Sequence, residues 1–200
     1  MSKFWFYLTT LGDSVLSVFG IRSGYEQPSY RVLQTIPPAI EIRQYEARVA
    51  AETPVASAND GAAFERLFRY ITGANTTGTL VPMTAPVAES SRMIAMTVPV
   101  EISGAATTMR FFLPEAVAAA GAPVPTDPKV RIVPVPPATL GVIRFSGLAT
   151  QAAREKETSI LRLALAHAGK TAVGMPIYFS YDPPFTVPFL RRNEVALEVK

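Results

Sequence analysis

His167 is the only histidine in this chain, and there is no cysteine. Together these counts remove thiolate metal sites, disulfides and cysteine nucleophiles, and they make a histidine-built zinc centre untenable, because zinc needs three or four such ligands. A serine triad would have to use His167, and no Gly-x-Ser-x-Gly elbow accompanies it. The glycine-containing stretch Gly73-Ala74-Asn75-Thr76-Thr77-Gly78 lacks the lysine of a phosphate loop. What remains is binding chemistry. Two small basic clusters, Arg66/Arg69 and Arg191/Arg192, suit an anionic small molecule. They make neither the basic stripe nor the motif of a nucleic-acid binder, so no nucleic-acid partner is expected.

The first cluster sits on a segment with helical periodicity. Phe64, Leu67, Phe68 and Ile71 fall at i, i+3, i+4 and i+7, an apolar stripe flanked by Glu65, Arg66 and Arg69. Asn59 or Asp60 supplies an N-cap, the helix runs to about Thr72, and Gly73 stops it. The stripe reads either as ordinary core or as one wall of a binding surface. A second helix is expected over Thr150–Ala168, with Ile160, Leu161, Ala164, Leu165 and Ala168 on its apolar face. The position of His167 near that helix's C-terminus suits an interaction with the helix dipole.

The strands come in two groups. Met83-Thr84-Ala85-Pro86-Val87 returns as Met96-Thr97-Val98-Pro99-Val100, with the polar stretch Glu89, Ser90, Ser91, Arg92 between them. This predicts neighbouring strands joined by a hairpin, with Pro86 and Pro99 at strand ends, bulges or an edge. Before the first helix, Tyr30–Ile36 reads as a strand ending at Pro37-Pro38. Ile40-Glu41-Ile42-Arg43-Gln44-Tyr45 alternates, with its isoleucines on one face and Glu41 and Arg43 on the other, and Arg48–Val55 is expected as its partner. Met109–Leu113 follows the repeat. Beyond a proline-rich crossing at Pro123–Pro128 the order recurs: strands at Val130–Val135 and Gly141–Phe145, the second helix, then strands at Pro176–Tyr181 and Val195–Val199. Each half reads as strands, one helix, strands, so the fold class is α+β, an antiparallel sheet or distorted barrel closed from two similar units.

At 200 residues, 48% of them hydrophobic, the chain suffices for one domain with a substantial core, and its 18 prolines favour short strands with many corners. Phe4–Phe19 has an apolar face at helical spacing (Leu8, Leu11, Val15, Val18, Phe19), is interrupted by Asp13 and is short of the roughly 20 residues that span a bilayer. It reads as an attached amphipathic helix, packed on the domain or lying at a membrane surface. An imperfect export signal is the alternative, so a cytoplasmic or membrane-associated location is favoured over export. Residues 1–24 are taken as this helix and a linker, and 25–200 as the main domain.

Several of these segments, in this order, resemble the SOUL haem-binding protein family: Ile40–Tyr45, Tyr70-Ile71-Thr72-Gly73-Ala74-Asn75, both Met-Thr-x-Pro-Val copies, Phe112-Leu113-Pro114, Pro123-Val124-Pro125 with Asp127, Phe145-Ser146-Gly147, Tyr181-Asp182-Pro183-Pro184-Phe185 and Arg191-Arg192-Asn193-Glu194-Val195. The resemblance covers essentially Tyr30–Lys200. It implies a distorted antiparallel β-barrel of two strand–helix–strand repeats, with a hydrophobic tetrapyrrole groove bordered by the first helix. It also implies a non-enzymatic haem- or porphyrin-binding protein: a carrier, buffer or sensor. The positions matching the family's ligand contacts are Phe64, Phe68 and Arg69, and Arg66, Leu67 and Ile71 complete the candidate set. Apolar rings would cover the macrocycle and a guanidinium would pair with a propionate. Some family members carry a histidine, proposed as an axial iron ligand, where this chain departs with Gln44, a poor iron ligand; Tyr45, Met83 and His167 are the other positions considered, and the iron ligand stays unassigned. Arg191–Glu194 is expected to tie a strand end to a neighbouring loop. The alternatives for function are a tetrapyrrole-modifying enzyme and a small-molecule effector-binding domain.

Overall fold

The computed structural model describes residues 26–55, 61–92, 106–182 and 185–200. The expected N-terminal helix, the cap at Asn59 or Asp60 and the second Met-Thr-x-Pro-Val copy lie outside the described residues. The strands are β1 (Tyr30–Ile36), β2 (Ile40–Tyr45), β3 (Arg48–Val55), β4 (Val87–Arg92), β5 (Ala106–Phe112), β6 (Arg131–Val135), β7 (Ala138–Phe145), β8 (Ala172–Ser180) and β9 (Asn193–Val199). The helices are α1 (Gly61–Ile71), a short α2 (Glu115–Ala120) and α3 (Gln151–His167).

All nine strands form one antiparallel sheet in the order β1-β2-β7-β9-β8-β4-β5-β3-β6. The sheet is open, with β1 and β6 at its two ends, so the expected barrel is not closed. The order carries the duplication. If β2, β3, β4 and β5 are matched with β6, β7, β8 and β9, the eight strands other than β1 read the same from either end, about an axis between β4 and β8. The first strand of each half is exchanged: β2 pairs with β7, and β6 with β3. The expectation that Arg48–Val55 pairs with Ile40–Tyr45 is therefore corrected; β3 pairs with β5 and β6. Matched strands β3 and β7 bury the same positions of their eight residues.

Period-two alternation divides the sheet into two faces. Both long helices pack on one of them. Under α1 lie Ala51, Met109 and Phe111 with the helix's own Ala63, Leu67, Tyr70 and Ile71. Under α3 lie Ile42, Ile143, Val195 and Leu197 with Leu161 and Leu165. Gly141 is glycine because α3 leaves no room, since a Cβ there would stand 2.7 Å from Leu165 Cδ2. Thr150 caps α3 by accepting a hydrogen bond from Ala153 N–H at 3.2 Å. The other face carries Tyr45, Ala50, Phe112, Val142, Phe179, Tyr181 and Ala196.

The first copy of the repeat and the stretch after it differ from the expectation. Met83–Pro86 precedes the strand, held by Ala85 N–H donating to Glu26 O at 3.1 Å and by the Thr84 hydroxyl on Phe112 O. The stretch Glu89–Arg92, read as the turn, lies within β4. A Ser-rich segment has little intrinsic strand preference; pairing with β5 on one side and β8 on the other overrides it. Pro86 does fall at the strand end, immediately before Val87.

Candidate functional site

Helix α1 presents two unlike sides. Ala63, Leu67, Tyr70 and Ile71 are sealed into the core, whereas Phe64 and Phe68 are 38% and 41% exposed. Their rings are nearly parallel, 12° apart in plane, with centroids at 6.1 Å. Phe64 is propped edge-on by Phe111 of β5 at 5.3 Å, so this aromatic shelf rests on the sheet. Leu67 and Ile71 lie beneath it, in the core.

Arg66 and Arg69 border a cleft of about 210 Å³ whose other walls include Tyr70, Ala74, Thr126 and Asp127. Arg66 is committed to the sheet, donating to Thr53 Oγ1 at 3.0 Å and Pro54 O at 2.7 Å. The Arg69 guanidinium has no hydrogen-bond or ionic partner among the described residues. Two distant sequence motifs meet at this cleft. The Tyr70 hydroxyl donates to Pro123 O at 3.0 Å, Thr76 N–H to Val124 O at 2.9 Å and Thr126 N–H to Ala74 O at 3.2 Å. The proline-rich crossing is thereby pinned against the loop that ends α1.

That loop turns at Gly73 (φ +112°), the left-handed region that glycine enters at least cost. Buried Asn75 holds it. Its amide donates to Tyr70 O at 3.2 Å and Thr79 O at 2.7 Å, and its carbonyl accepts from Thr79 N–H at 2.9 Å and Thr77 Oγ1 at 3.1 Å. Leaving buried backbone groups unpaired costs about 1–3 kcal/mol each. Asn75→Ala is therefore expected to lower stability by about 2–4 kcal/mol, read from the urea unfolding midpoint.

Of the iron contacts considered, Gln44 lies on β2, away from α1, and accepts from Arg31 at 2.7 Å. Tyr45 is on the helix-free face. His167 is exposed at the end of α3. Met83 alone packs against the cluster beneath α1.

The helix-free face holds what the sequence reading missed. Arg43, expected on an outward polar face of β2, is 4% exposed, and Glu194 is 1% exposed. Arg43 reaches Glu194 with both terminal nitrogens, at 2.9 and 3.2 Å. Arg192 closes on Glu194 Oε1 at 2.7 Å and the Tyr181 hydroxyl donates to Oε2 at 2.8 Å. Burial pushes the Glu194 carboxyl upward, but the hydrogen bonds and charges of Arg43 and Arg192 outweigh it and hold the group below the usual carboxylate range. Burial raises the Tyr181 phenol, with Glu194 adding to the rise. The motif also ties strand to loop, as expected, through Asn193 Nδ2 on Gly147 O at 3.0 Å and Arg192 N–H on Asp182 Oδ2 at 2.6 Å. The signal was in the sequence, as Arg43 and Glu194 both lie in family-like segments, but nothing local joins residues so far apart.

The arrangement is that of a duplicated α+β domain, two helices on one face of an open sheet, with an exposed aromatic pair and an arginine-bordered cleft along the first. By sequence, the model of the SOUL heme-binding protein family matches residues 25–198. The chain belongs to that family. No curated protein matches it significantly. Among solved structures it is similar to the EcmrR C-terminal domain (TM-score 0.54, 9% identity, 86% of this chain and 98% of that one). It is similar also to EcmrR in a DNA complex (0.57, 8%, 99% and 63%), and to a structure described as a hydrolase from Listeria innocua (0.53, 9%, 89% and 94%). At these identities the likeness is one of fold alone.

Proposed function

We propose that this protein binds haem or a free porphyrin on the exposed side of α1 and serves as a carrier, buffer or sensor, without turning the pigment over. The observation that carries this reading is the pairing of Phe64 and Phe68, open to solvent on a helix otherwise well packed, with Arg69 exposed on the same helix and without a partner among the described residues. Exposed aromatic pairs of this kind are a cost to a lone soluble domain and mark places where something apolar docks. A tetrapyrrole answers to both features: its faces are flat and apolar, and its propionates are anionic. Drug-sized ligands are enclosed by pockets of about 300–1,000 Å³, and the cleft at Arg69, about 210 Å³, is smaller. In this reading the macrocycle lies across the two phenylalanines and is not engulfed, and a propionate reaches over the helix toward Arg69. Leu67 and Ile71 support the shelf from below, and Arg66 braces it through Thr53 and Pro54.

Titration with hemin, and separately with protoporphyrin, is expected to give a saturable one-to-one shift of the Soret band for both pigments. Absence of saturation with both pigments overturns the proposal. Conversion of bound haem to other pigments under reductant would replace the carrier reading with an enzymatic one.

A further inference from the structure

Phe64 and Phe68 stand one turn apart on α1 and form a short exposed ridge along it. Their open surface is roughly 160 Å². That is far below the roughly 800 Å² per partner buried where separate proteins associate stably, a second copy included. An occupant on a tether needs much less, because a short flexible linker holds it at an effective concentration in the millimolar range, roughly. Residues 4–19 of this chain have the features of such an occupant. Their apolar face at helical spacing is Leu8, Leu11, Val15, Val18 and Phe19, and Asp13 falls on the opposite side. Within that face Leu11, Val15 and Phe19 form an i, i+4 row. Phe64 and Phe68 are spaced in the same way, and rows of this kind interdigitate when two helices pack. From Leu8 to Phe19 a helix rises about 17 Å, enough to run past both rings, whose centroids are 6.1 Å apart.

The point where the chain joins the domain is fixed. Ala85 N–H donates to Glu26 O at 3.1 Å, Glu115 N–H donates to Glu26 Oε1 at 2.9 Å, and Glu26 bridges Thr84. Two residues past Ala85, Val87 lies opposite Phe111 in the β4–β5 ladder, and the Phe111 ring props Phe64 at 5.3 Å. Chain and strand spacings put this path from Glu26 to Phe64 at about 25 Å, and the straight line is shorter. The seven steps from Phe19 to Glu26, through Gly20 and Gly24, reach about 23–25 Å when extended. The tether is long enough.

We propose that residues 4–19 are a tethered cover: a helix whose Leu11–Val15–Phe19 row packs on Phe64 and Phe68 and competes there with a planar ligand. Docking of the cover needs no pigment. Only the competition rests on the pigment reading, so the two can fail separately.

Trp5 is the only tryptophan in the chain, and it lies in this segment. Its fluorescence therefore reports docking in the full, pigment-free protein. Phe64→Ala/Phe68→Ala and Leu11→Asp/Val15→Asp are each expected to move Trp5 emission to longer wavelength and to raise its quenching by acrylamide. Unchanged emission and quenching in both variants overturn the proposal. So does a blue shift that appears only with phosphatidylglycerol vesicles and is equal in the native chain and Phe64→Ala/Phe68→Ala, which assigns the segment to a membrane surface. The chain has no cysteine, so a second measurement survives any failure of the shelf variant to fold. Val15→Cys/Phe68→Cys should close an intramolecular disulfide under mild oxidation many-fold faster than Asp13→Cys/Phe68→Cys; equal rates refute the packed face. Where the native chain saturates with hemin, Leu11→Asp/Val15→Asp should bind it about twofold more tightly, the gain from removing a cover closed half of the time. Equal hemin affinity, with the Trp5 and disulfide results as expected, refutes the competition and leaves the docking.

Discussion

Glu194→Gln is expected to be among the most damaging single substitutions in this protein. One fully buried carboxylate holds Arg43, Arg192 and the Tyr181 hydroxyl together. The amide keeps the shape and removes the charge, so two guanidinium groups are left near one another with no anion between them. Breaking a buried ion pair from one side costs about 3–5 kcal/mol. For a chain of this size each kcal/mol moves the melting temperature by roughly 2–4 °C, so a fall on the order of 10 °C is expected. Glu41, half-exposed at 2.7 Å from Arg43, would offset part of it. The same group gives the fold an acid limit. Its carboxyl is held below its ordinary value, so the stabilisation is complete above the unfolded-state pKa of about 4.3 and is lost as pH falls through the folded value. The melting temperature of the native chain should drop below about pH 4, and Glu194→Gln should flatten that part of the profile. Equal slopes in the two proteins would assign the acid limit to other carboxylates.

Hemin should bind Phe64→Ala/Phe68→Ala roughly thirtyfold more weakly than the native chain. A phenylalanine carries about 150–250 Å² of surface, so at 38% and 41% exposure the two rings offer roughly 160 Å² to a ligand. At about 25 cal/mol per Å², full cover is worth about 4 kcal/mol. A flat pigment covers one side, or about 2 kcal/mol, which is the thirtyfold figure. Arg69 should act differently. Its contact is an exposed ion pair, worth about 0.2–1 kcal/mol, so Arg69→Gln should weaken hemin only a few-fold. That variant should bind a porphyrin dimethyl ester as the native chain does, because the ester has no carboxylate to lose. Unchanged hemin affinity in the double variant would move the pigment off α1.

Much of this architecture could be read from local pattern. The stripe at Phe64, Leu67, Phe68 and Ile71 located α1 within a residue or two, and Gly73 ends it as expected. Thr150 and the periodicity behind it located α3. Periodicity could not say which part of the stripe is covered. Leu67 and Ile71 fall over Ala51 and Phe111 and are sealed, whereas Phe64 and Phe68, one step round the helix, remain open. The short α2, an alanine-rich turn after Pro114, carries too little pattern to stand out. Strand partners are a long-range choice that alternation does not encode. That is why β3 was paired with its sequence neighbour, and why an open sheet was expected to close. Arg43 shows the same gap at one side chain: in an alternating strand it resembles a solvent-facing residue until β9 supplies Glu194.

The traded strands β2 and β6 have a consequence for how the molecule must come into being. Neither half is self-sufficient, because each completes its sheet with a piece borrowed across the centre. A chain severed near Pro123–Pro128 would give fragments that each lack a lining for β3 or β7 and offer that raw edge to any passing strand. The N-terminal half by itself leaves β2, β3 and β4 without their neighbours β7, β6 and β8, so its open edges are satisfied only when the second half has been made. The interval between the two halves is the vulnerable moment in this protein's synthesis.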